Sequence, residues 1–243
     1  MTLKLMKRLM KGKMSNSPFK ASIITLFPEL FPGPLGTSVI GRGLKENLWA
    51  LEAINLRDFA LDKHRSVDDT PAGGGAGLVL KPDVLARAID FTSPKNDTRP
   101  RYLLSPRGKP LTQNLAHELS KRSGVVLICG RFEGIDQRVI KSRNLIEISI
   151  GDYVLAGGEV AAMVMLEAIT RLIPGVLGSS ESSKEESFEN GLLEYDQYTR
   201  PVDFEGQKIP EILTSGDHKK IKQWRFEQSK KFTKSRRPDL LKK

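Results

Sequence analysis

An α/β fold, a parallel sheet with helices on both faces followed by a small helical unit, is what this chain of 243 residues predicts. Three observations carry that expectation. Short runs such as 125–129 (VVLIC) are apolar at every position, as in strands buried on both sides. These runs alternate with segments of helical spacing, the pattern of βα units. A stretch rich in serine and glutamate, 179–196, then breaks the alternation and sets apart a strongly basic final segment.

The elements follow in order. Residues 21–27 (ASIITLF) form a β-branched run stopped by Pro28, so a buried strand. Residues 39–49 have helical spacing, and 55–60 read as a second strand. Residues 62–77 (DKHRSVDDTPAGGGAG) form a long polar and glycine-rich loop. Pro82 opens a helix reaching about Phe91, at the position where its missing N–H costs least. A strand at 101–104 ends in Ser105-Pro106-Arg107-Gly108, and Thr112 caps a helix to about Lys121. Strand 125–129 ends at Gly130, a helix covers 134–141, strand 145–150 ends at Gly151, and a helix over 158–173 is stopped by Pro174-Gly175. Asp217 caps a last helix to about Lys234, with Ile221, Trp224, Gln228 and Phe232 on one face.

Composition bounds the function. Hydrophobic residues make up 39% and charged residues 28%, which is globular and excludes a disordered chain. Cys129 is the single cysteine, so no intrachain disulfide or cysteine-built zinc site exists, and a reducing, cytoplasmic setting is expected. No apolar run reaches the roughly 18 residues of a membrane span. The net charge is +10, which points to a polyanion, nucleic acid before membrane. That charge is uneven: five cations and no acid in residues 1–13, and eleven cations against three acids in 216–243, leave the body mildly acidic. The domain expectation is a basic, unstructured extension over 1–18, a catalytic domain over 19–178, an acidic flexible linker over 179–197 and a nucleic-acid-binding domain over 198–243. Nothing after Pro18 depends on the extension.

Three successive strands end in unusual turns: 104–108 (LSPRG), 129–134 (CGRFEG) and 150–159 (IGDYVLAGGE). Glycine lets backbone approach a ligand closely, and ligands of open parallel sheets bind beyond the strands' carboxyl ends. A single such turn is structural; three together point to a site for a planar, polar ligand such as adenine. GxGxxG after the first strand and GxxxxGK[ST] are both missing, which disfavours a dinucleotide-binding dehydrogenase and a P-loop enzyme. His64-Arg65 and Asp68-Asp69 match the spacing of neither an HExxH site nor an EF-hand, so no metal site is expected. His117 reads as an exposed helix residue and Cys129 as a packed one.

ITLFPELF, DKHRSVDDTPAGGGAG, LSPRGKPL, ICGRFEGIDQRVI, SIGDYVLAGGE, TRLIPGVLG, ESFENGLL and YTRP occur in this order. From about Phe19 to about Leu241 the chain closely resembles the bacterial tRNA (guanine-N1) methyltransferases, the TrmD family of the SPOUT class. The resemblance implies a deep trefoil knot toward the end of the catalytic domain, S-adenosylmethionine as methyl donor, and a homodimer whose active sites use both subunits. It implies methylation of the guanosine at position 37, next to the anticodon, when the preceding base is also guanosine. Leu104, Ser105, Pro106, Gly130, Glu133, Ile150, Gly151, Asp152, Tyr153, Val154, Leu155, Gly157 and Gly158 are then the donor-binding set, the same three turns. His64, Arg65, Asp68, Gly73 and Gly74 lie near the target guanosine, and Tyr198, Arg200, Ser215, His218 and Arg225 belong to the segment that grips tRNA. Trp224 reads as the core of that small domain.

Chemistry at guanine N1 asks for two groups. The N1 proton must leave, a task for a general base, and charge moves toward O6, where a cation stabilises it. The target base must also leave its stack. By resemblance the base is Glu186, where the family carries aspartate, with Glu185 as local rival, and the cation is Arg171. Read from the residues alone, Glu186 is one of six linker acids and Arg171 an i,i+4 partner of Glu167. The alternatives are another SPOUT methyltransferase, acting on a ribose 2′-hydroxyl or a different base, and a non-catalytic RNA-binding relative.

Overall fold

The computed structural model describes residues 17–178 and 186–241. Most of the expected basic extension, and linker residues 179–185 with Glu185, lie outside the described residues. The chain divides into two compact units, Met1–Leu177 and Gly178–Lys243.

The first unit holds one five-stranded parallel sheet. Its strands are β1 (Phe19–Thr25), β2 (Trp49–Asn55), β5 (Arg101–Pro110), β6 (Gly124–Cys129) and β7 (Ile146–Ser149), in the order β2-β1-β6-β5-β7. A separate two-stranded ribbon pairs β3 (Asp68–Asp69) with β4 (Val79–Leu80) inside the glycine-rich loop. The helices are α1 (Ser38–Lys45), α2 (Pro82–Thr92), α3 (Gln113–Ser120), α4 (Gln137–Ser142) and α5 (Gly158–Thr170). Alternation along each strand explains the two cores. Ala21, Ile23, Leu127 and Cys129 point to one face, where Met165, Leu166 and Ile169 of α5 and Leu119 of α3 cover them. Ile24, Val126 and Ile128 point to the other, under Leu85 and Ile89 of α2 and Ile140 of α4. The doubly covered parallel sheet is thus as the apolar runs predict.

Several boundaries differ, each for a local reason. The second strand is 49–55, not 55–60: Asn47 at φ +57° ends the turn after α1, and Asn55 accepts a hydrogen bond from the Arg57 N–H (3.0 Å), which ends the strand. Residues 56–59 form a 3₁₀ turn instead. The helix expected from Gly134 starts at Gln137, because Asp136 caps it by accepting from the Arg138 N–H (2.8 Å). The helix expected to Ile173 ends at Thr170. The strand expected to stop at Leu104 resumes and runs to Pro110. Leu104 and Lys109 both oppose Ile148 of β7, so residues 105–108 leave the ladder as an excursion. Gly108 closes it, lying against the backbone of Ile148 where no Cβ fits. His117, expected to be exposed, is half-buried on α3.

The second unit is mainly helical. A hairpin joins β8 (Asp203–Phe204) and β9 (Gln207–Lys208), α6 is the single turn Glu211–Thr214, and α7 (His218–Arg236) is capped by Asp217, which accepts from the Lys220 N–H (3.1 Å). Tyr198 meets Trp224 edge-on at 6.3 Å, and the tryptophan is half-buried rather than fully enclosed in this unit. The stretch before the hairpin is tied to α7 within this unit: the Leu193 N–H donates to Thr233 Oγ1 (2.9 Å).

Candidate active site

The carboxyl ends of β5, β6 and β7 open onto one cavity of about 340 Å³, within the range of small-molecule sites. Leu104, Ser105, Pro106, Gly130, Glu133, Ile150, Gly151, Tyr153, Val154, Leu155, Gly157 and Gly158 all line it. Asp152 sits in the same loop but does not line the cavity. The three turns that are separate in sequence therefore form one site, because β6, β5 and β7 are neighbours in the sheet.

Each wall has a local cause. The excursion 105–108 forms one wall and is held by Glu147 of β7. Glu147 Oε1 accepts from Ser105 Oγ (3.1 Å) and from Arg107 Nη2 (2.8 Å). The second wall, 130–134, is tied to the glycine-rich loop: the Glu133 N–H donates to Leu78 O (2.9 Å) and the Leu80 N–H to Gly134 O (3.0 Å). Gly77, at φ +87°, lies against the Glu133 side chain with no space for a Cβ. The third wall, 150–157, leads into α5. There the Gly158 N–H donates to Gly130 O (2.9 Å), and a Cβ on Gly158 would stand 2.7 Å from Cys129 Cα. Polar backbone, glycine approaches and exposed apolar side chains such as Val154 suit a nucleoside-sized ligand with a planar base.

Below the cavity lies Glu159 in the first turn of α5, 1% exposed. Its carboxylate accepts from Thr25 Oγ1 (2.7 Å) and pairs with Arg131 (2.9 Å). Cys129 is buried beside it; burial and the Glu159 carboxylate push the thiol well above its usual value, which leaves it inert packing. Sequence reasoning missed Arg107, Arg131, Glu147 and Glu159. The signal for Glu159 was available: an acid directly after a helix-opening glycine pair, in an apolar helix, demands a cationic partner.

Of the other expected residues, those of the first unit do not line this cavity. Arg171 caps the far end of α5, whose 13 residues span about 20 Å at about 1.5 Å per residue. Glu186 is half-buried in the second unit. His64 is exposed, Arg65 pairs with Asp58 (3.5 Å), Asp68 lies in β3, and Gly73 and Gly74 have positive φ with open space around them. In the second unit Arg200 is exposed, Ser215 Oγ donates to Ile212 O (2.8 Å), His218 opens α7, and Arg225 stacks over Tyr195 at 4.8 Å. Among the described residues no three His, Cys, Asp or Glu side chains cluster as a metal site, and no helix is long and apolar enough to cross a membrane.

Residues 19–243 match the sequence profile of the family described as tRNA (Guanine-1)-methyltransferase TrmD. The chain belongs to this family. It is 64% identical to the tRNA (guanine-N(1)-)-methyltransferase of Mesorhizobium japonicum over 223 residues, 92% of this chain and 96% of the relative. The enzymes of that name from Chelativorans and Agrobacterium fabrum are 61% and 60% identical, covering 91% and 93% of this chain and 94% and 97% of the relatives. The family match spans both units, so the strand-end cavity and the basic helical unit belong to one family architecture.

Proposed function

We propose that this chain transfers a methyl group from S-adenosylmethionine to N1 of guanosine in tRNA, at position 37 when base 36 is also guanosine. The observation that carries the reading is the single cavity made by the three glycine turns, in a chain whose family is that of tRNA guanine-N1 methyltransferases. The cavity's volume, glycine approaches and apolar rim fit a nucleoside-bearing donor, which supplies an electrophilic methyl on a sulfonium when bound. Leu104, Gly130 and the 150–158 loop would hold it. The SPOUT-type trefoil knot belongs to this reading; the pairing of β7 with the outer side of β5 is compatible with it.

Glu186 would take the N1 proton and Arg171 would face the charge developing on O6. Arg171 lies about 20 Å of helix away from the cavity end of its own α5, which supports a site completed by a second copy of the chain. Val160 and Val164, 57% and 45% exposed on α5, offer an apolar surface for that copy beside the exposed Glu167. In this reading the first unit is the donor domain, and the second carries the tRNA grip on the cationic face of α7. Lys219, Lys220 and Lys222 are exposed there to meet phosphates.

The test is methyl transfer from S-adenosylmethionine to tRNA transcripts with and without G36-G37, the product mapped by mass spectrometry. A methyl on guanine N1 of residue 37, confined to the G36-G37 transcript, is expected. A methyl on a ribose or another base would favour a different SPOUT activity, and none at all a binding protein. Glu186→Gln should keep donor binding and lose transfer; full activity there would move the base to Glu185.

A further inference from the structure

Arg131 touches three other segments of the molecule at once. It leaves the turn after β6, and its Nε and Nη2 meet Glu159 Oε2 on α5 (3.0 and 2.9 Å). Its guanidinium lies 4.5 Å from the centre of the Phe27 ring, just past β1. Its Nη1 donates to the carbonyl of Ala156 in the third cavity wall (3.3 Å). Gly157 lies directly against the guanidinium, with no room for a Cβ. Glu159 is fixed from behind by Thr25 Oγ1 (2.7 Å) and sits at a helix N-terminus, where a carboxylate is favoured.

A pair between two surface side chains would contribute little. Here the acid is fully buried and the arginine three-quarters covered, so the geometry is held. What it holds is the 150–157 loop, which otherwise presents exposed side chains. Tyr153, Val154 and Leu155 are all open to solvent; Ile150 packs against the core at the start of the loop, and Ala156 O accepts from Arg131 at its end.

We infer that Arg131 and Glu159 are positioning residues for the donor, a latch that sets the 150–157 loop against the turn after β6 and so fixes the cavity width. The inference rests on the reading of this cavity as the S-adenosylmethionine site. Neither residue is assigned a part in proton transfer. Loosening the latch therefore weakens donor binding and leaves the chemical step of the saturated enzyme nearly intact.

The experiment measures calorimetric affinity for S-adenosylmethionine and for S-adenosylhomocysteine, kcat and the donor KM, and thermal stability. The variants are Glu159→Gln, Arg131→Lys and Thr25→Val, the last removing the hydroxyl that fixes Glu159 without altering either partner or the lining of the cavity. Arg143→Gln, which breaks the remote Arg143–Asp90 pair (2.7 Å), is the control. Each latch variant is expected to weaken both ligands about tenfold or more, with kcat within about threefold, and Arg131→Lys to be the mildest. The control should bind like the parent. Unchanged donor affinity in folded variants, or a fall in kcat without a change in donor KM, would overturn the inference. So would loss of folded protein in all three, which would make the pair a support of the fold. Failure of the unaltered protein to bind S-adenosylmethionine would instead remove the reading of the cavity, and the latch with it.

Discussion

At its two ends the same sheet carries two buried arginine–carboxylate pairs, and they are built differently. Arg99 and Asp97 lie just before β5, at the end where the strands begin, with side chains 8% and 12% exposed. They are two residues apart, and the guanidinium also donates to Ser22 Oγ of β1 (2.8 Å) and Thr92 O of α2 (3.2 Å), so the pair ties together elements packed at the start of the sheet, away from the cavity. Arg131 and Glu159 lie where the strands finish, are 28 residues apart, and bridge segments that border a cavity. The contrast teaches that burial of a charge pair does not declare its role. Its place on the sheet separates the two: one pair fixes the chain where β5 begins, the other borders the cavity, where open parallel sheets take their ligands.

Four variants can break or sharpen that contrast. The largest effect is expected from Arg171→Ala, which should lower methyl transfer at least ~100-fold, as loss of a group stabilising developing charge does. Donor affinity should stay unchanged in a binding titration, because Arg171 lies outside the cavity. Next comes Asp97→Asn, which leaves Arg99 buried without its anion and should cost about 3 kcal/mol in denaturant unfolding. Burial alone would raise the Asp97 carboxyl, but the hydrogen bonds and charge of Arg99 outweigh it and hold it below the usual carboxylate range. A folded value below the unfolded one means this stabilisation is present above about pH 4 and lost as pH falls through the folded value. Acid unfolding should therefore narrow the gap between parent and variant.

Smaller effects follow. Gly77→Ala puts a Cβ against Glu133 and forces a residue with a side chain into positive φ, a strain of about 1–3 kcal/mol. A donor titration should show a severalfold loss, transmitted through Glu133 in the cavity wall. The smallest is the triple change of Lys219, Lys220 and Lys222 to Gln. It should lower the slope of log affinity for tRNA against log salt by about 1 for each phosphate no longer neutralised, with donor binding untouched.

Much of this is legible in the letters alone. The apolar runs identify the parallel sheet because strands buried on both faces leave no polar alternation to misread. The three glycine turns identify the cavity because close backbone approach needs a residue without a Cβ, a demand visible in the sequence. Boundaries set by single side chains are less legible. Asn55 ends a strand through one hydrogen bond, and the 105–108 excursion depends on Gly108 meeting Ile148 across the sheet. Glu159 and Arg131 are hidden for a similar reason: 28 residues separate them, and only the folded sheet brings the turn after β6 beneath α5. Arg171 is the reverse case, a residue the sequence offers for the chemistry while the fold puts it at the end of α5 away from the cavity.

The claim that the finishing end of the sheet holds the donor is tested most directly by titrating S-adenosylmethionine into two variants side by side. Leu155→Asp places a charge on an exposed apolar side chain in the wall of the cavity, outside the buried core. It should bind the donor at least ~10-fold more weakly while melting like the parent. Asp97→Asn should bind the donor like the parent and melt ~5–10 °C lower. Undiminished donor binding by Leu155→Asp, or a loss of donor affinity in Asp97→Asn that matches its loss of stability, would contradict the account.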